Sequence, residues 1–362
     1  MKIAMLGHKR IPGREGGVEV VVDELTTRMA QKGCSVTAYN RHKKGFVAPK
    51  NYNGVKLIDV PTIEMKQTDA AVYSLLASLS VIFHKYDVVH YHAIGPSAFL
   101  LIPHFFGIKT VVTVHGLNYK TPKWVGFAEK FIQFGEKVTA KYADEVIVLS
   151  EEQKKYFKEK YNRDVMYIPN GVETENKEPA EEIKEKYNLE KNGFILFLSR
   201  VVPGKGLEHL IEAYKKVDTD LPLVIAGGTE YEFEFRRMIE EKASEDKRIK
   251  IIGFVEGKIL RELYSNARLF VFPSEAEGMP MCLLEAMSYD CPCLVSNIPE
   301  NLEVGGDFVK SFETSNVEDL KNKLEECLAD KTIMNSRNYI QEKYSWDNVV
   351  DSTLSVYSSI IK

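Results

Sequence analysis

The sequence predicts an α/β protein with two doubly wound parallel sheets. Short apolar, β-branched runs alternate with longer segments of helical periodicity, which is the rhythm of βαβ units. The alternation occurs in two series, separated by Pro169-Asn170-Gly171 and a polar stretch over Glu173–Glu185. A length of 362 residues also suits two domains of ordinary size. We therefore expect one domain over residues 1–172 and a second over residues 173–343.

The apolar runs are the candidate strands. In the first series they are Lys2–Leu6, Ser35–Tyr39, Val88–Tyr91, Thr110–Val114, Glu145–Leu149 and Val165–Ile168. In the second series they are Phe194–Leu198, Leu223–Ala226, Ile249–Ile252, Leu269–Phe272 and Cys293–Ser296. Helical patterns such as Val18–Lys32 and Ala128–Tyr142 lie between strands, and Ser345 is a candidate N-cap for a final helix.

The charge is unevenly distributed along the chain. Residues 1–172 carry 24 Lys and Arg against 16 Asp and Glu, a net +8, whereas the remainder carries 24 against 36, a net −12. A basic half favours an anionic partner, namely a nucleic acid, a membrane surface or a phosphorylated substrate. The alternative is ordinary solubility charge. No nucleic-acid-binding motif accompanies the charge, so we expect no nucleic-acid partner.

The five cysteines lack the spacing of a disulfide framework, which is typical of a reducing compartment, and we expect them to be core residues. The N-terminal apolar run is too short for a signal peptide. The longest apolar stretches, Ser74–Phe83 and Ala98–Ile108, fall short of the ~20 residues that a membrane span needs. We therefore expect a cytoplasmic protein, either free or peripheral on the inner face of the plasma membrane.

The most informative segment is PSEAEGMPMCLLEAM, from Pro273 to Met287. It follows a buried-strand pattern and places Glu277 just past the strand, with Glu285 eight residues later on a predicted helix. Carboxylates accept hydrogen bonds from hydroxyls, and a helix N-terminus attracts anions. Pro280 stands where the first helical residue is expected, a position that needs no N–H. The segment predicts a site for a hydroxyl-rich phosphorylated ligand.

Other candidate ligand residues follow predicted strands, where ligands of open α/β sheets bind. Arg200 and Lys205 are two cations on one loop and could neutralise a diphosphate, or form a solvated surface pair. His115 ends a strand and could be structural or touch ligand. Glycines of a strand-to-helix loop and an aromatic strand end complete the set: Gly16, Gly17, Phe254 and Val255. The two glycines allow close approach to a phosphate, or they form a plain flexible loop, since the segment lacks GxGxxG spacing.

The sequence offers no metal site. Asp218-Thr219-Asp220 has the D-x-D spacing of some metal-dependent transferases, but it precedes a strand and so lies at the wrong edge of the sheet for the expected site. No other His, Cys, Asp or Glu cluster has metal-ligand spacing. We expect neither a metal nor another cofactor.

Beside the glutamate pair, the chain contains IPNGVE at 168–173, SRVVPGKGLEHLIEA at 199–213 and GGVE at 16–19. In these motifs it resembles the retaining GT-B glycosyltransferases of family 4. The similarity covers almost the whole chain, and HGLNYKTPKWVGFAEKF resembles members that assemble bacterial polysaccharides. It implies two Rossmann-like domains with an interdomain cleft and a final helix, residues 344–362, that crosses back to the N-terminal domain. The first domain would bind the acceptor and the second the nucleotide-sugar donor.

The resemblance also implies residue roles. Glu277 would bind the hydroxyls of the transferred sugar, Glu285 the ribose, and Arg200 with Lys205 the diphosphate. His115 would lie near C6 of the sugar. Further donor contacts would come from the backbone of Gly16, Gly17, Gly278, Met279, Pro280 and Met281, and the base would lie near Phe254 and Val255.

Two departures from the family pattern stand out. The sequence Met279-Pro280-Met281 replaces a common Phe-Gly-Leu, and Pro280 removes one N–H that could bind the sugar. Asp290 stands where glycine is common, and we expect the turn to survive because Asp tolerates left-handed geometry. The favoured function is retaining transfer from a UDP-sugar to a glycan or polyprenyl-phosphate-linked acceptor. The alternatives are a GT-B epimerase or hydrolase, or a non-catalytic nucleotide-sugar-binding module.

A basic cluster in the first domain suggests where an acceptor phosphate or an anionic membrane surface would bind. Its members lie around the glycine loop and in a following basic-aromatic loop: Lys9, Arg10, Arg14, Arg41, His42, Lys43, Lys44 and Phe46. Each such cation near an acidic bilayer would strengthen association by about 1 kcal/mol.

Overall fold

The computed structural model describes residues 1–13, 16–45, 49–63, 68–116, 126–228, 232–330 and 335–361. The chain divides into two compact units. Unit 1 comprises Met1–Gly171 with Trp346–Lys362, and unit 2 comprises Val172–Ser345. The first division falls one residue before the predicted boundary, and the returning segment begins at Trp346.

Unit 1 contains an eight-stranded sheet in the order β3-β4-β2-β1-β5-β6-β7-β8. All neighbours are parallel except β3 and β4. The strands are β1 (Lys2–Leu6), β2 (Ser35–Arg41), β3 (Asn51–Tyr52), β4 (Val55–Val60), β5 (Val88–His92), β6 (Lys109–Val114), β7 (Glu145–Val148) and β8 (Met166–Tyr167).

The helices of unit 1 cover both faces of this sheet. They are α1 (Gly17–Gln31), α2 (Asp69–Val81), α3 (Ile94–Ser97), α4 (Leu101–Phe105), α5 (Phe127–Tyr142), α6 (Glu151–Tyr161) and α15 (Trp346–Ile361). Residues of α2, α3, α5 and α6 share one core with every second residue of the central strands. The final helix, α15, packs beside α1 and against β6.

Unit 2 contains a six-stranded, fully parallel sheet in the order β11-β10-β9-β12-β13-β14. Its strands are β9 (Ile195–Leu198), β10 (Leu223–Ala226), β11 (Ile249–Gly253), β12 (Leu269–Phe272), β13 (Cys293–Ser296) and β14 (Lys310–Phe312). Its helices are α7 (Glu182–Tyr187), α8 (Leu207–Tyr214), α9 (Phe233–Ser244), α10 (Gly257–Asn266), α11 (Met281–Ser288), α12 (Pro299–Gly305), α13 (Val317–Ala329) and α14 (Ser336–Lys343). A 3-10 turn, Gly306–Phe308, follows α12.

Three strands were not predicted. β3 and β4 form a hairpin whose turn, Asn53-Gly54, has φ of 45° and 84°. Asn-Gly favours a two-residue hairpin turn because both positions need positive φ, so this signal was available. β14 has only three residues and no apolar run to mark it. The expected left-handed turn is present, since Asp290 has φ of 49°.

Three of the five cysteines, Cys291, Cys293 and Cys327, are buried as predicted. Cys34 and Cys282 are only partly buried, which corrects the prediction for these two. All five are free thiols. In the described part of the chain, no helix is both long enough and apolar enough to cross a membrane.

Candidate active site

Each sheet reverses its strand order at one point, and ligands of open α/β sheets bind beside the carboxyl ends of the strands there. In unit 2 the reversal lies between β9 and β12, which pair directly. In unit 1 it lies between β1 and β5. Arg200 and Lys205 follow β9, Glu277 follows β12, and the glycine loop follows β1. His115 and Phe254 follow β6 and β11, which lie farther along the same edges.

At the reversal point of unit 2, Lys205 and Glu277 form an ion pair. The ammonium of Lys205 donates a hydrogen bond to Oε1 of Glu277, although the two residues lie 72 positions apart. Both side chains are mostly buried, at 14% and 11% exposure. The Lys205 Nζ also lies 5.7 Å from the ring centroid of Phe272. The loops after β9 and β12 thus bring a cation and a carboxylate into direct contact.

Tight backbone contact holds those two loops together. The N–H of Glu275 donates to the carbonyl of Gly204 at 3.0 Å. Gly206 has φ of +66°, and a Cβ there would lie 2.0 Å from the carbonyl oxygen of Pro273. Only glycine fits this left-handed, crowded position. The sequence PGKG therefore supplies Lys205 and also the glycine that lets the loop approach β12.

Glu285 lies on α11, and its Oε2 accepts a hydrogen bond from the Tyr264 hydroxyl at 2.9 Å. The pKa of the Cys282 thiol is raised to about 12, mainly by burial. The carboxylates of Glu285 and Glu277 also raise this pKa, whereas Lys205 lowers it. The thiol therefore stays protonated and is not a nucleophile. Glu277, in contact with Lys205, lies four residues before the first residue of α11, and Glu285 lies on α11 itself.

Helix α11 begins one residue later than predicted. Pro280 is its N-cap, with φ of −80° and ψ of 86°, and its carbonyl accepts from the N–H groups of Leu283 and Leu284 at 3.1 Å. The first helical residue is Met281. Met279 and Pro280 are buried, while Gly278 and Met281 are partly exposed.

The other predicted donor residues of unit 2 lie along the same edge of the sheet. Arg200 follows β9 by two residues with an exposed side chain, and no ion pair joins it to the described residues. Phe254, directly after β11, is exposed, whereas Val255 is buried. The two cations therefore differ in environment, because Arg200 is open to solvent and Lys205 is paired with Glu277.

At the reversal point of unit 1, β1 and β5 approach closely. Gly7 has φ of +102°, and a Cβ there would lie 2.2 Å from the carbonyl oxygen of His92. The next residue, His8, is fully buried, and its Nε2 lies 3.0 Å from Oδ1 of Asn40. Because that oxygen only accepts, His8 carries its proton on Nε2. Asn40 also bonds the N–H and the carbonyl of Ile11.

His92 and His115 form a second pair in unit 1, with Nδ1 of His92 2.9 Å from Nε2 of His115. Their rings stack at a centroid distance of 5.2 Å. Behind them, His90 bonds the Tyr357 hydroxyl through Nδ1 at 2.5 Å and the Thr113 hydroxyl through Nε2 at 2.7 Å. Sequence reasoning identified His115 but missed its partners, although the alternating histidines of VVHYH were a visible signal.

Burial keeps these histidines neutral. It lowers the pKa of His8 and of His115 to about 4 and that of His90 to about 3, and the pKa of His92 falls well below its usual value. Neighbouring histidines lower the pKa of His90 and His92 further, and Arg41 does so for His8. At the reversal point of unit 1, the histidines therefore offer hydrogen-bonding groups without cationic charge.

The glycine loop packs around a buried acid. Gly16 is the N-cap of α1 and Gly17 its first residue. A Cβ on Gly16 would lie 2.8 Å from Oε2 of Glu19, whose Oε1 accepts from the N–H of Lys9 at 2.9 Å. Glu19 is buried, and burial raises its pKa. Glu19 of GGVE thus fixes Lys9 in the loop after β1 through this hydrogen bond. The motif alone did not predict this role.

The predicted basic cluster is only partly at the surface, which corrects the interpretation of two members. Arg10 is buried. Arg41 is paired with Asp69 at 3.0 Å and stacks on Tyr73. A buried or neutralised cation does not attract an anionic bilayer. Lys43 and Lys44 are exposed, Lys9 is partly exposed, and His42 contacts Asp59 at 2.5 Å; Arg14 and Phe46 lie outside the described residues.

Asp218-Thr219-Asp220 lies between α8 and β10, on the amino side of that strand, as predicted. The carbonyl of Thr219 accepts from Arg248 at 2.8 Å, which fits a structural loop. Among the described residues, no group of three or more His, Cys, Asp and Glu is arranged to hold a metal ion.

Two family models match the chain in succession. "Glycosyltransferase Family 4" matches residues 15–176 and "Glycosyl transferases group 1" matches residues 179–346. Among solved structures, a sucrose-phosphate synthase from Thermosynechococcus elongatus is similar in fold. Its TM-score is 0.86 and its sequence identity 19%, and the match covers 99% of this chain and 98% of that one.

Two curated relatives come from Escherichia coli. An O-antigen chain mannosyltransferase B is 29% identical over 201 residues, covering 53% of this chain and 51% of the relative. The match thus spans about half of that enzyme. A UDP-Gal:α-D-GlcNAc-diphosphoundecaprenol α-1,3-galactosyltransferase is 28% identical over 342 residues, covering 88% of this chain and 84% of the relative.

The two doubly wound sheets and these matches define a glycosyltransferase of the GT-B fold. Within that class, the chain belongs to the glycosyltransferases of the family 4 type. The fold, the enzyme class and the family predicted from the sequence are confirmed. The roles of the individual site residues stay predictions.

Proposed function

We propose that this enzyme transfers a sugar from a UDP-sugar to a hydroxyl of a lipid-linked or polysaccharide acceptor, with retention at the anomeric carbon. The observation that carries the proposal is the Lys205–Glu277 pair at the β9–β12 reversal point. The galactosyltransferase relative is named for a UDP-galactose donor and a diphosphoundecaprenol-linked acceptor, which supports UDP as the nucleotide and a polyprenyl-diphosphate-linked acceptor here.

The proposed donor site assigns the charged groups of unit 2 by chemistry. Lys205 and the exposed Arg200 neutralise the diphosphate as it departs, which needs no metal because pre-placed cations stabilise developing charge. Glu277 accepts hydrogen bonds from sugar hydroxyls, and Glu285, oriented by Tyr264, accepts them from the ribose. The exposed ring of Phe254 offers a stacking surface for the base.

In unit 1, the neutral edge suits the binding of an uncharged hydroxyl-rich group. His115 is held by His92 and is only partly buried, so it has one ring nitrogen left for a ligand. A neutral imidazole binds a hydroxyl without attracting competing anions. The placement of His115 near C6 of the sugar, which the family resemblance implies, is part of the proposal.

A panel of nucleotides tests the donor assignment. Thermal-shift measurements on the full chain with UDP, GDP and dTDP should give the largest stabilisation with UDP, and Lys205→Ala should abolish most of it. Arg237→Ala, on the surface of unit 2 with a side chain that is 79% exposed, is the charge-matched control. A larger stabilisation by GDP or dTDP would contradict the nucleotide assignment.

Reaction products test the reaction itself. With a UDP-sugar and a polyprenyl-diphosphate glycan, NMR of the new glycosidic bond should show the anomeric configuration of the donor, and EDTA should not change the rate. Epimerised donor without acceptor would instead indicate an epimerase. Tight nucleotide binding without turnover of any donor would indicate a binding module.

A further inference from the structure

Helix α2 is apolar on both faces. Tyr73, Ala77 and Val81 point into the core of unit 1. The opposite face exposes Leu75, Leu76 and Leu79, and Phe83, two residues past the helix end at Val81, is 83% exposed. The only charged residue of α2 is Asp69, at its start. A surface helix ordinarily turns charged residues to water, so an apolar outer face indicates a second partner.

The neighbouring helices extend the apolar surface. Helix α4 packs beside α2, and α5 packs beside α4. At the end of α4, Phe105 and Phe106 are 77% and 67% exposed, and Phe134 of α5 is half exposed. We call the outward side of these helices the α2–α4–α5 face. Its apolar members are Leu75, Leu76, Leu79, Phe83, Phe105, Phe106 and Phe134. Contiguous exposed apolar residues on this scale mark a binding surface.

The charge on this face is basic. Lys130, Lys137 and Lys141 are exposed on α5, at spacings of seven and four residues, so they share one side of the helix with Phe134. None of the three forms an ion pair with the described residues. Of the two acids of α5, Glu136 is buried and pairs with Lys160, and Glu129 carries one negative charge against three lysines, so this side of the helix is net basic.

Two more exposed charges lie just beyond α2. Lys85 adds a cation next to Phe83. The exposed Asp87 accepts the backbone N–H of Lys2 at 2.7 Å, at the rim of the face. By contrast, the adjacent α6 exposes charges of both signs, such as Glu151, Glu152 and Lys155, like an ordinary surface helix.

We propose that the α2–α4–α5 face docks the enzyme onto an anionic lipid bilayer. Exposed leucine and phenylalanine beside lysine is the composition of interfacial membrane-binding surfaces, where the apolar groups enter the headgroup region and the lysines meet acidic lipids. A second copy of this chain is a poorer occupant. A symmetric dimer would bring the same basic surface against itself, which like charges oppose.

The face lies along the flank of the unit 1 sheet and reaches its amino edge. Helix α2 begins at the carboxyl edge, where Asp69 pairs with Arg41 at the end of β2, and it ends before the start of β5. Phe83 precedes β5, and Phe105 and Phe106 precede β6, so these aromatic residues lie at the amino edge. Docking through this face can be measured without activity.

Vesicle sedimentation of the full chain tests the proposal. The protein should pellet with phosphatidylcholine vesicles that contain about 30% phosphatidylglycerol, and much less with phosphatidylcholine alone. Because each lysine near an acidic surface strengthens binding about fivefold, Lys130→Gln/Lys137→Gln/Lys141→Gln should weaken it ~100-fold. Phe83→Ser/Phe105→Ser/Phe106→Ser should abolish binding to both vesicle types.

A matched control changes the same charge elsewhere. Lys184→Gln/Lys186→Gln/Lys191→Gln alters three exposed lysines of unit 2 and should bind as the unaltered protein does. Circular dichroism and thermal unfolding check that all variants fold, and the lysine triple variant tests the face even if the phenylalanine variant misfolds.

Three outcomes would overturn docking. The first is unaltered protein that stays in the supernatant with both vesicle types, and the second is a lysine triple variant that binds normally. The third is a dimer in light scattering that the phenylalanine variant makes monomeric, since that result would assign the face to a second copy. Donor turnover in solution is measured separately, so failure here leaves the donor site intact, and failure there leaves docking intact.

Discussion

At the carboxyl edge of unit 2, Lys205 and Glu277 carry opposite charges in contact, whereas at the same edge of unit 1 His8, His92 and His115 are held neutral. Both edges lie at the reversal point of a doubly wound sheet. The difference shows that the fold supplies the location and the loop residues supply the electrostatics. A charged edge suits a nucleoside diphosphate, and a neutral edge suits a hydroxyl-bearing group.

The first prediction concerns the close backbone approach at a glycine that the carboxyl edges of both units share. In unit 2, Gly227 has φ of 140°, and a Cβ there would lie 1.7 Å from the carbonyl oxygen of Ser199. In unit 1, Gly7 has φ of 102°, and a Cβ there would lie 2.2 Å from the carbonyl oxygen of His92. Gly227→Ala and Gly7→Ala should each lower the free energy of unfolding by about 3 kcal/mol, because strain and overpacking add. Urea unfolding measures the loss.

The control is Gly33→Ala, whose φ is +85° but whose Cβ would meet no atom within 4 Å. It should cost only about 1 kcal/mol. Equal losses at Gly33 and at the two edge glycines would contradict the inference that close backbone approach is what both edges require.

The second prediction tests the charged edge. Lys205→Ala should lower kcat about a hundredfold, since removal of one contact to the developing charge typically costs ~3 kcal/mol. Steady-state kinetics at saturating donor measure it, with Arg237→Ala as the control. Turnover within tenfold of the unaltered enzyme would remove Lys205 from the proposed mechanism.

The third prediction tests the neutral edge through pH. The pKa of His8 is about 4 when folded and about 6.5 when unfolded, so the unfolded chain binds more protons between these values. The stabilisation is therefore complete above pH 6.5 and is lost as the pH falls towards 4. Between pH 8 and pH 5 this amounts to about 2 kcal/mol from His8.

Chemical unfolding of His8→Gln at pH 8 and pH 5 measures that contribution, because glutamine does not titrate. The variant should lose less stability on acidification than the unaltered protein. An unchanged pH dependence in His8→Gln would show that His8 is not held neutral.

The fourth and smallest effect is expected at Glu285. Tyr264→Phe removes the hydroxyl that donates to its carboxylate, a hydrogen bond worth about 1 kcal/mol. The donor KM should rise about fivefold with little change in kcat, and initial-rate kinetics measure both. Tyr214→Phe, which removes a hydroxyl bonded to Leu221 O in the same unit, should leave KM unchanged. A lower kcat at constant KM would contradict a ribose-orienting role.

Sequence patterns predicted the strands that are buried on both faces, because such strands are continuous apolar runs. Lys205 and Glu277 were both predicted, but their contact depends on the pairing of β9 with β12, which no local pattern reveals. The partners of His8 and His115 were missed for the same reason. Asn40 lies on another strand, and its polar side chain carries no signal of burial. His92 also lies on another strand, where the alternation of VVHYH was the one local signal.

The sequence also did not predict which cations are buried or which apolar residues are exposed. Arg10 and Arg41 are indistinguishable from surface arginines in sequence, yet tertiary packing buries one and pairs the other. In Ser74–Phe83, inner and outer positions of α2 are both apolar, so periodicity cannot separate them. The length rule concerns only a membrane span and says nothing about an exposed face.

The path of the chain has a consequence for synthesis. The two ends of unit 2 lie side by side, since the N–H of Val172 donates to the carbonyl of Tyr344 at 2.8 Å. Unit 1, by contrast, needs α15, whose Tyr357 bonds His90 on β5. At 5–20 residues per second, the ribosome spends roughly 10–35 s on unit 2 before it reaches α15. The unit begun first is thus finished last, and until then the part of unit 1 that α15 covers is open to chaperones and to other nascent chains.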